Sequence, residues 1–135
     1  YFDGQDITNP NLQDIRDAVI AIRSKKLPDP AKVPNNGSFF ANPVIDAKHF
    51  ARLKKKYKDI KGWDLENNQV KVSAAWLLEY AGFKGKLDAE TGMTTWKHQP
   101  LVLVNNKAKS TESLLRYQDK ITTTINELFG IELQR

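Results

Sequence analysis

The sequence predicts an α+β domain, a small mixed or antiparallel sheet with helices packed on it. Three observations predict it. Several stretches carry apolar residues at helical spacing and begin at capping residues. Between them lie short β-rich runs, the clearest being Leu101-Val102-Leu103-Val104. Helical and strand segments interleave, with no internal repeat and no low-complexity tract. The strand order does not follow from the sequence.

The first helix starts at Thr8-Asn9-Pro10, where Asn9 can cap and Pro10 suits the first helical position. Leu12, Ile15, Val19 and Ile22 then fall on one helical face, and Lys25 and Lys26 sit where a helix end favours cations. The three prolines of Leu27 to Gly37 fix φ and remove donors, which makes that stretch an extended loop. Ser38 to Ile45 reads as a short apolar strand interrupted by Pro43. Asp46 caps a helix through Tyr57, with Ala47, Phe50 and Leu53 on one face. Val70-Lys71-Val72 is a brief strand. Ser73 caps the helix of Ala74 to Ala81, and Gly82 supplies its left-handed end. Leu101 to Val104 is a central strand. Ser110 caps the longest helix, with Leu114, Ile121, Ile125 and Leu128 as its buried stripe and Gly130 as its stop. Ile131-Glu132-Leu133 opens a last strand.

Composition narrows the function. The chain has 135 residues, enough for one domain or a piece of a larger one. No run approaches the ~18 apolar residues of a membrane-spanning helix. The absence of cysteine excludes a disulfide scaffold, a thiolate metal site and a cysteine nucleophile. A net charge of +5 and a pI near 9.4 favour an anionic partner. Tyr1 to Asp6 shows neither a basic n-region nor an apolar h-region, and no initiator Met is present. The chain stops at Arg135 inside what reads as a strand. Both ends read as cuts, so an excised fragment is expected.

The polar constellations each have two readings. The run Lys54-Lys55-Lys56-Tyr57-Lys58-Asp59-Ile60-Lys61 suits phosphates with Tyr57 stacking on a base, or simply a solvated helix face ending in cations. No helix-turn-helix, zinc-finger or RNA-binding pattern accompanies it, which favours the solvated face. His49 and His98 are the only histidines and show no metalloprotease spacing, so no metal site is expected. Ser38 after Gly37 presents a hydroxyl at a loop-to-strand junction, yet no GxSxG elbow surrounds it. Lys84-Gly85-Lys86 is phosphate-directed or a basic turn, without P-loop spacing. Trp63 suits a stacking platform or a core anchor.

Taken together and in order, several segments resemble one family. They are Lys26-Leu27-Pro28-Asp29-Pro30, Gly37-Ser38-Phe39-Phe40-Ala41-Asn42-Pro43-Val44, Val70 to Glu79 with Gly82-Phe83-Lys84-Gly85, Gln99 to Asn105, and Phe129 to Leu133. From about Ile7 onward the chain resembles the C-terminal, substrate-binding domain of the UDP-N-acetylenolpyruvoylglucosamine reductases (MurB). The resemblance implies a bacterial, cytoplasmic oxidoreductase of peptidoglycan precursor synthesis. Such an enzyme uses FAD and NADPH to reduce the enolpyruvyl ether of UDP-N-acetylglucosamine, giving UDP-N-acetylmuramate. FAD belongs to an N-terminal region outside these residues. A single substrate-binding domain over residues 1–135, binding no cofactor and inactive alone, is therefore expected, with neither nucleic acid nor membrane as partner.

The resemblance also implies roles. Ser38 matches the serine that protonates the substrate carbon. Lys26, Asn42 and Lys84 fall on positions holding the diphosphate and nearby nucleotide atoms. Gln99 matches a position near the uracil. Trp63 falls where relatives can carry a tyrosine close to the nucleotide. Asn35-Asn36-Gly37 departs from a common Gly-Asn-(Ala/Gly)-Gly turn, and Ala41 replaces a frequent lysine. The family's catalytic glutamate lies just beyond Leu133-Gln134-Arg135 in the pattern, and Glu132 stands on the wrong side of Leu133 to replace it. The other reading is a non-catalytic basic module that binds a nucleotide sugar or nucleic acid.

Overall fold

The computed structural model describes residues 8–108 and 110–135. The reading of Tyr1 to Asp6 lies outside them. Helix α1 spans Leu12–Lys26. Its cap is Asn11, two residues later than the sequence suggests. The Asn11 side chain accepts from the N–H groups of Gln13 and Asp14, while the Asp14 carboxylate accepts from the Asn11 N–H at 2.9 Å. This reciprocal box satisfies exposed helix donors that a lone Asn9 would leave open, and such caps contribute roughly 0.5–2 kcal/mol.

Strand β1 is Asn35–Ser38, and β2 is Val44–Asp46. The expected single strand from Ser38 to Ile45 is thus two strands, and they belong to different sheets. The first begins inside the stretch read as a loop, because the last proline is Pro34 and Asn35 onward can bond normally. Helix α2 (Ala47–Lys56) is capped by Asp46, whose carboxylate accepts from the Lys48 N–H at 2.7 Å. Strands β3 (Gly62–Leu65) and β4 (Gln69–Val72) form a hairpin, with Asn67 and Asn68 at positive φ in its turn. Helix α3 is Ala74–Tyr80, capped by Ser73. It ends as expected at Gly82, at φ 82°, with Phe83 N–H donating to the Leu78 carbonyl and Gly82 N–H to that of Glu79. Strands β5 (Met93–Trp96) and β6 (Gln99–Asn105) form a second hairpin, and α4 runs over Thr111–Phe129 from the Ser110 cap to the left-handed Gly130.

There are two antiparallel three-stranded sheets among the described residues, not one. The first has the order β1-β6-β5 and the second β2-β4-β3. Leu101 to Val104 is central in the first, as its unbroken apolar run predicts. The helices α2, α3 and α4 tie both sheets into one core. Val72 from the second sheet, Leu103 from the first, Leu77 of α3 and Ile121 of α4 are each at most 1% exposed. The stripe of α4 differs from expectation: Tyr117 and Phe129 are buried with Ile121 and Ile125, while Leu128 is 39% exposed. The true stripe repeats every four residues, and Leu128 lies one position off it. Residues 131–135 form no strand; among the described residues a single backbone bond ties them to the rest, from Ala41 N–H to the Gln134 carbonyl.

Candidate functional site

Two short segments, one polar and one aromatic, shape the surroundings of Ser38. Asn35 folds the approach: its amide donates to the Val33 carbonyl at 2.8 Å, and its side-chain oxygen accepts from Gly37 N–H at 3.0 Å. Gly37 takes φ 69°, a conformation glycine adopts without strain. Ser38 then pairs with Val102, and Phe39 N–H donates to the Leu101 carbonyl at 2.8 Å. Beyond it Phe40 is buried and Phe39 meets it edge-on at 5.0 Å. The two rings pin the segment on one side and the asparagine turn pins it on the other. Ser38 is left exposed where the strand leaves the sheet.

Three of the residues that the resemblance implicates collect at the β5–β6 hairpin end of that sheet. Gln99, half-buried, opens β6 opposite Trp96. The Trp96 indole N–H donates to the Lys26 carbonyl at 3.1 Å, which seats the end of α1 there. Thr95 fixes the loop after α3: its hydroxyl donates to the Phe83 carbonyl and accepts from Gly85 N–H, so Lys84 is held one position from Trp96 along β5. Lys26 and Lys84 are both exposed, and Lys84 pairs with Glu79 at 2.7 Å. The backbones of Lys26, Lys84 and Gln99 thus meet at one sheet end.

Asn42 and Trp63 occupy a second corner, at the start of α3. The Asn42 side-chain oxygen accepts from Ala74 N–H at 2.9 Å, which leaves its NH₂ group as a free donor type. Trp63 pairs with Lys71 in the second sheet and is 53% exposed, so it is no core anchor. Its ring lines an open recess of about 420 Å³ together with Lys54, Lys58 and Lys61. These residues lie within ten consecutive positions, and the turn that Ile60 N–H closes on the Tyr57 carbonyl at 3.1 Å brings the end of α2 beside the start of β3. The segment Phe39-Phe40-Ala41 joins the two corners, and the Arg135 guanidinium lies over the Phe39 ring at 5.7 Å. A separate cavity of about 450 Å³ opens at the other end of the first sheet, among Asn35, Met93, Asn105 and Leu114, and holds none of the six residues.

The remaining polar features have structural partners. Tyr57 is buried and its hydroxyl donates to the Leu128 carbonyl at 3.1 Å, so it offers no face to a base. Lys54 and Lys56 lie over the rings of Phe50 and Tyr57. His49 Nε2 stands 2.9 Å from the Phe129 carbonyl; a carbonyl only accepts, so this nitrogen carries the proton and closes the end of α4. His98 is exposed beside Trp96. No group of three metal-ligating side chains occurs among the described residues. On the far side of α4, burial pushes the Asp88 carboxyl up, but bonds from Lys120 and Thr91 outweigh it and hold the group below its ordinary value. Desolvation, with Asp88 nearby, drives the Tyr117 hydroxyl well above the usual tyrosine range.

Comparison with known proteins places this geometry in context. Residues 29–135 match the family model described as UDP-N-acetylenolpyruvoylglucosamine reductase, C-terminal domain. A protein of that name from Flavobacterium johnsoniae is 41% identical over 128 residues, covering 95% of this chain and 37% of the relative. One from Pseudomonas syringae pv. syringae is 45% identical over 132 residues, covering 98% of this chain and 38% of the relative. One from Porphyromonas gingivalis is 42% identical over 124 residues, covering 92% and 36%. The chain spans a little over a third of the length of these curated relatives.

Proposed function

This chain belongs to the UDP-N-acetylenolpyruvoylglucosamine reductase family, and we propose that it is the substrate-binding and proton-donating part of such an enzyme. In this reading the whole cytoplasmic enzyme reduces UDP-N-acetylglucosamine enolpyruvate to UDP-N-acetylmuramate for peptidoglycan synthesis, which serves growth, division and shape of the cell wall. FAD, held by the N-terminal region outside this chain, supplies the hydride that NADPH provides. No dinucleotide-phosphate loop is legible in the sequence, which supports placing that group elsewhere.

This chain's own residues bind and orient the nucleotide sugar and hold a proton. Lys26 and Lys84 supply two ammonium groups for the diphosphate, and Asn42 adds an amide donor while its oxygen stays on Ala74. Gln99 offers both a donor and an acceptor to the uracil edge. Trp63 offers an exposed aromatic face to the nucleotide. Ser38 holds the proton that is added to the substrate carbon beside the one receiving hydride. Serine is a weak acid, so placement and stabilisation of the oxygen left behind matter more than its pKa in water.

The observation that carries the reading is the placement of exposed Ser38, held by the asparagine turn and Phe40, on the sheet whose hairpin end gathers Lys26, Lys84 and Gln99. The test is NADPH oxidation by the full-length enzyme. Oxidation that requires UDP-N-acetylglucosamine enolpyruvate supports the reading. Turnover indifferent to that substrate contradicts it.

A further inference from the structure

Helix α1 turns its apolar side away from the rest of the described structure. Leu12, Ile15, Val19 and Ile22 lie on one stripe and are 86%, 44%, 48% and 47% exposed. Ala18 is the only buried residue of the helix. The helix is well specified, with a reciprocal N-terminal box and Arg23, Lys25 and Lys26 in its last turn. An amphipathic helix specified this fully has a place to bury its stripe.

The family match gives that place an occupant. It begins at residue 29, just past the end of α1, so the helix lies outside the C-terminal-domain model. The Pseudomonas relative nevertheless matches 98% of the chain, so relatives carry the helix too. They also carry well over half their length beyond what this chain covers. We propose that α1 is the docking element of this chain. Its stripe Leu12, Ile15, Val19 and Ile22 seats against an apolar surface of the remaining, N-terminal polypeptide of the enzyme. This rests on the chain being part of a longer reductase. The indole bond from Trp96 to the Lys26 carbonyl then gives α1 a second task. It couples the docked helix to the β5–β6 hairpin where Gln99 sits, so the seating of the two parts sets the position of that sheet end.

The experiment is cysteine accessibility in the full-length enzyme. Single cysteines replace Ile15, Val19 and Ile22, with Asp17→Cys and Ser24→Cys as controls on the opposite side of the helix. This chain has no cysteine of its own, so peptide-resolved labelling with N-ethylmaleimide reads each position cleanly. The three stripe positions should label at least about tenfold more slowly than the controls, as buried sites do. Equal rates at all five positions overturn the proposal. Protection that disappears on dilution also overturns it, since it assigns the stripe to a second copy of the enzyme. Protection in an enzyme lacking reductase activity would support docking while contradicting the function proposed above.

Discussion

The backbone N–H of Ala41 donates to the carbonyl of Gln134 at 2.8 Å. This bond ties the segment between Ser38 and Asn42 to the chain's last residues, and Ile131, 1% exposed, anchors those residues in the core. The proposed proton donor therefore depends on packing more than 90 positions away in sequence. Ile131→Ala should destabilise the protein by about 2–5 kcal/mol, the usual cost of such a cavity. Amide exchange at Ala41 should accelerate with it. Denaturant unfolding with residue-resolved hydrogen exchange checks both.

How much of this was legible in the sequence varies with the physical signal. Caps at Asp46, Ser73 and Ser110 and stops at Gly82 and Gly130 stand in the structure where side-chain chemistry puts them. Strands β3 and β5 escaped, because Trp63-Asp64 and Thr94-Thr95 carry no apolar run and gain their ladders from a partner strand. The division into two sheets escaped for a similar reason: Pro43 marks an interruption but cannot say which strands lie on either side. The apolar stripe of α1 was visible, whereas its exposure was not, since spacing fixes a face and not what covers it. Among the six site residues, the sequence carried their types and order; the Trp96 bond that seats Lys26 and the recess joining Trp63 to Lys58 and Lys61 arise only on folding.

Asn42 has two separable tasks. Asn42→Ala orphans the Ala74 N–H at the start of α3 and should cost roughly 0.5–2 kcal/mol of stability, along with affinity for the UDP-sugar. Asn42→Asp keeps an acceptor for Ala74 but places an anion at the proposed diphosphate position. It should melt close to the parent and bind more weakly. Thermal unfolding and titration calorimetry on the full-length enzyme separate the two effects.

The lysines should fall into two groups. Lys26→Ala and Lys84→Ala should each weaken UDP-sugar binding by about 1.5–3 kcal/mol, the scale of hydrogen bonds to charged groups. Stability should hardly move, because the Lys84–Glu79 pair is exposed and such pairs contribute about 0–1 kcal/mol. Lys55→Ala and Lys56→Ala, outside the Trp63 recess, should leave binding near the parent value. Equal losses for all four would mean that the site reads general positive charge.

Acid should loosen the loop that Asp88 clamps onto α4. Its folded pKa is lowered below the ordinary value of 3.8 by Lys120 and Thr91. The resulting stabilisation is fully present above the unfolded value and is lost as pH falls through the lowered one. Asp88→Asn should remove that part of the acid dependence while leaving stability at neutral pH reduced. Unfolding midpoints compared at several pH values below 5 against neutral pH, in both proteins, test this; parallel curves would contradict it.

Ser38 bears the central claim, and the two halves of the proposed cycle separate its role from a merely structural one. NADPH reducing the flavin needs no proton donor on the substrate, whereas reoxidation by the enolpyruvyl substrate does. The direct measurement is stopped-flow flavin absorbance of full-length Ser38→Ala, followed through each half in turn. Reduction by NADPH should stay near the parent rate, substrate affinity should change little, and reoxidation should slow by at least the ~10²–10⁴-fold typical of a lost general acid. Fast reoxidation, or equal slowing of both halves, would contradict the assignment.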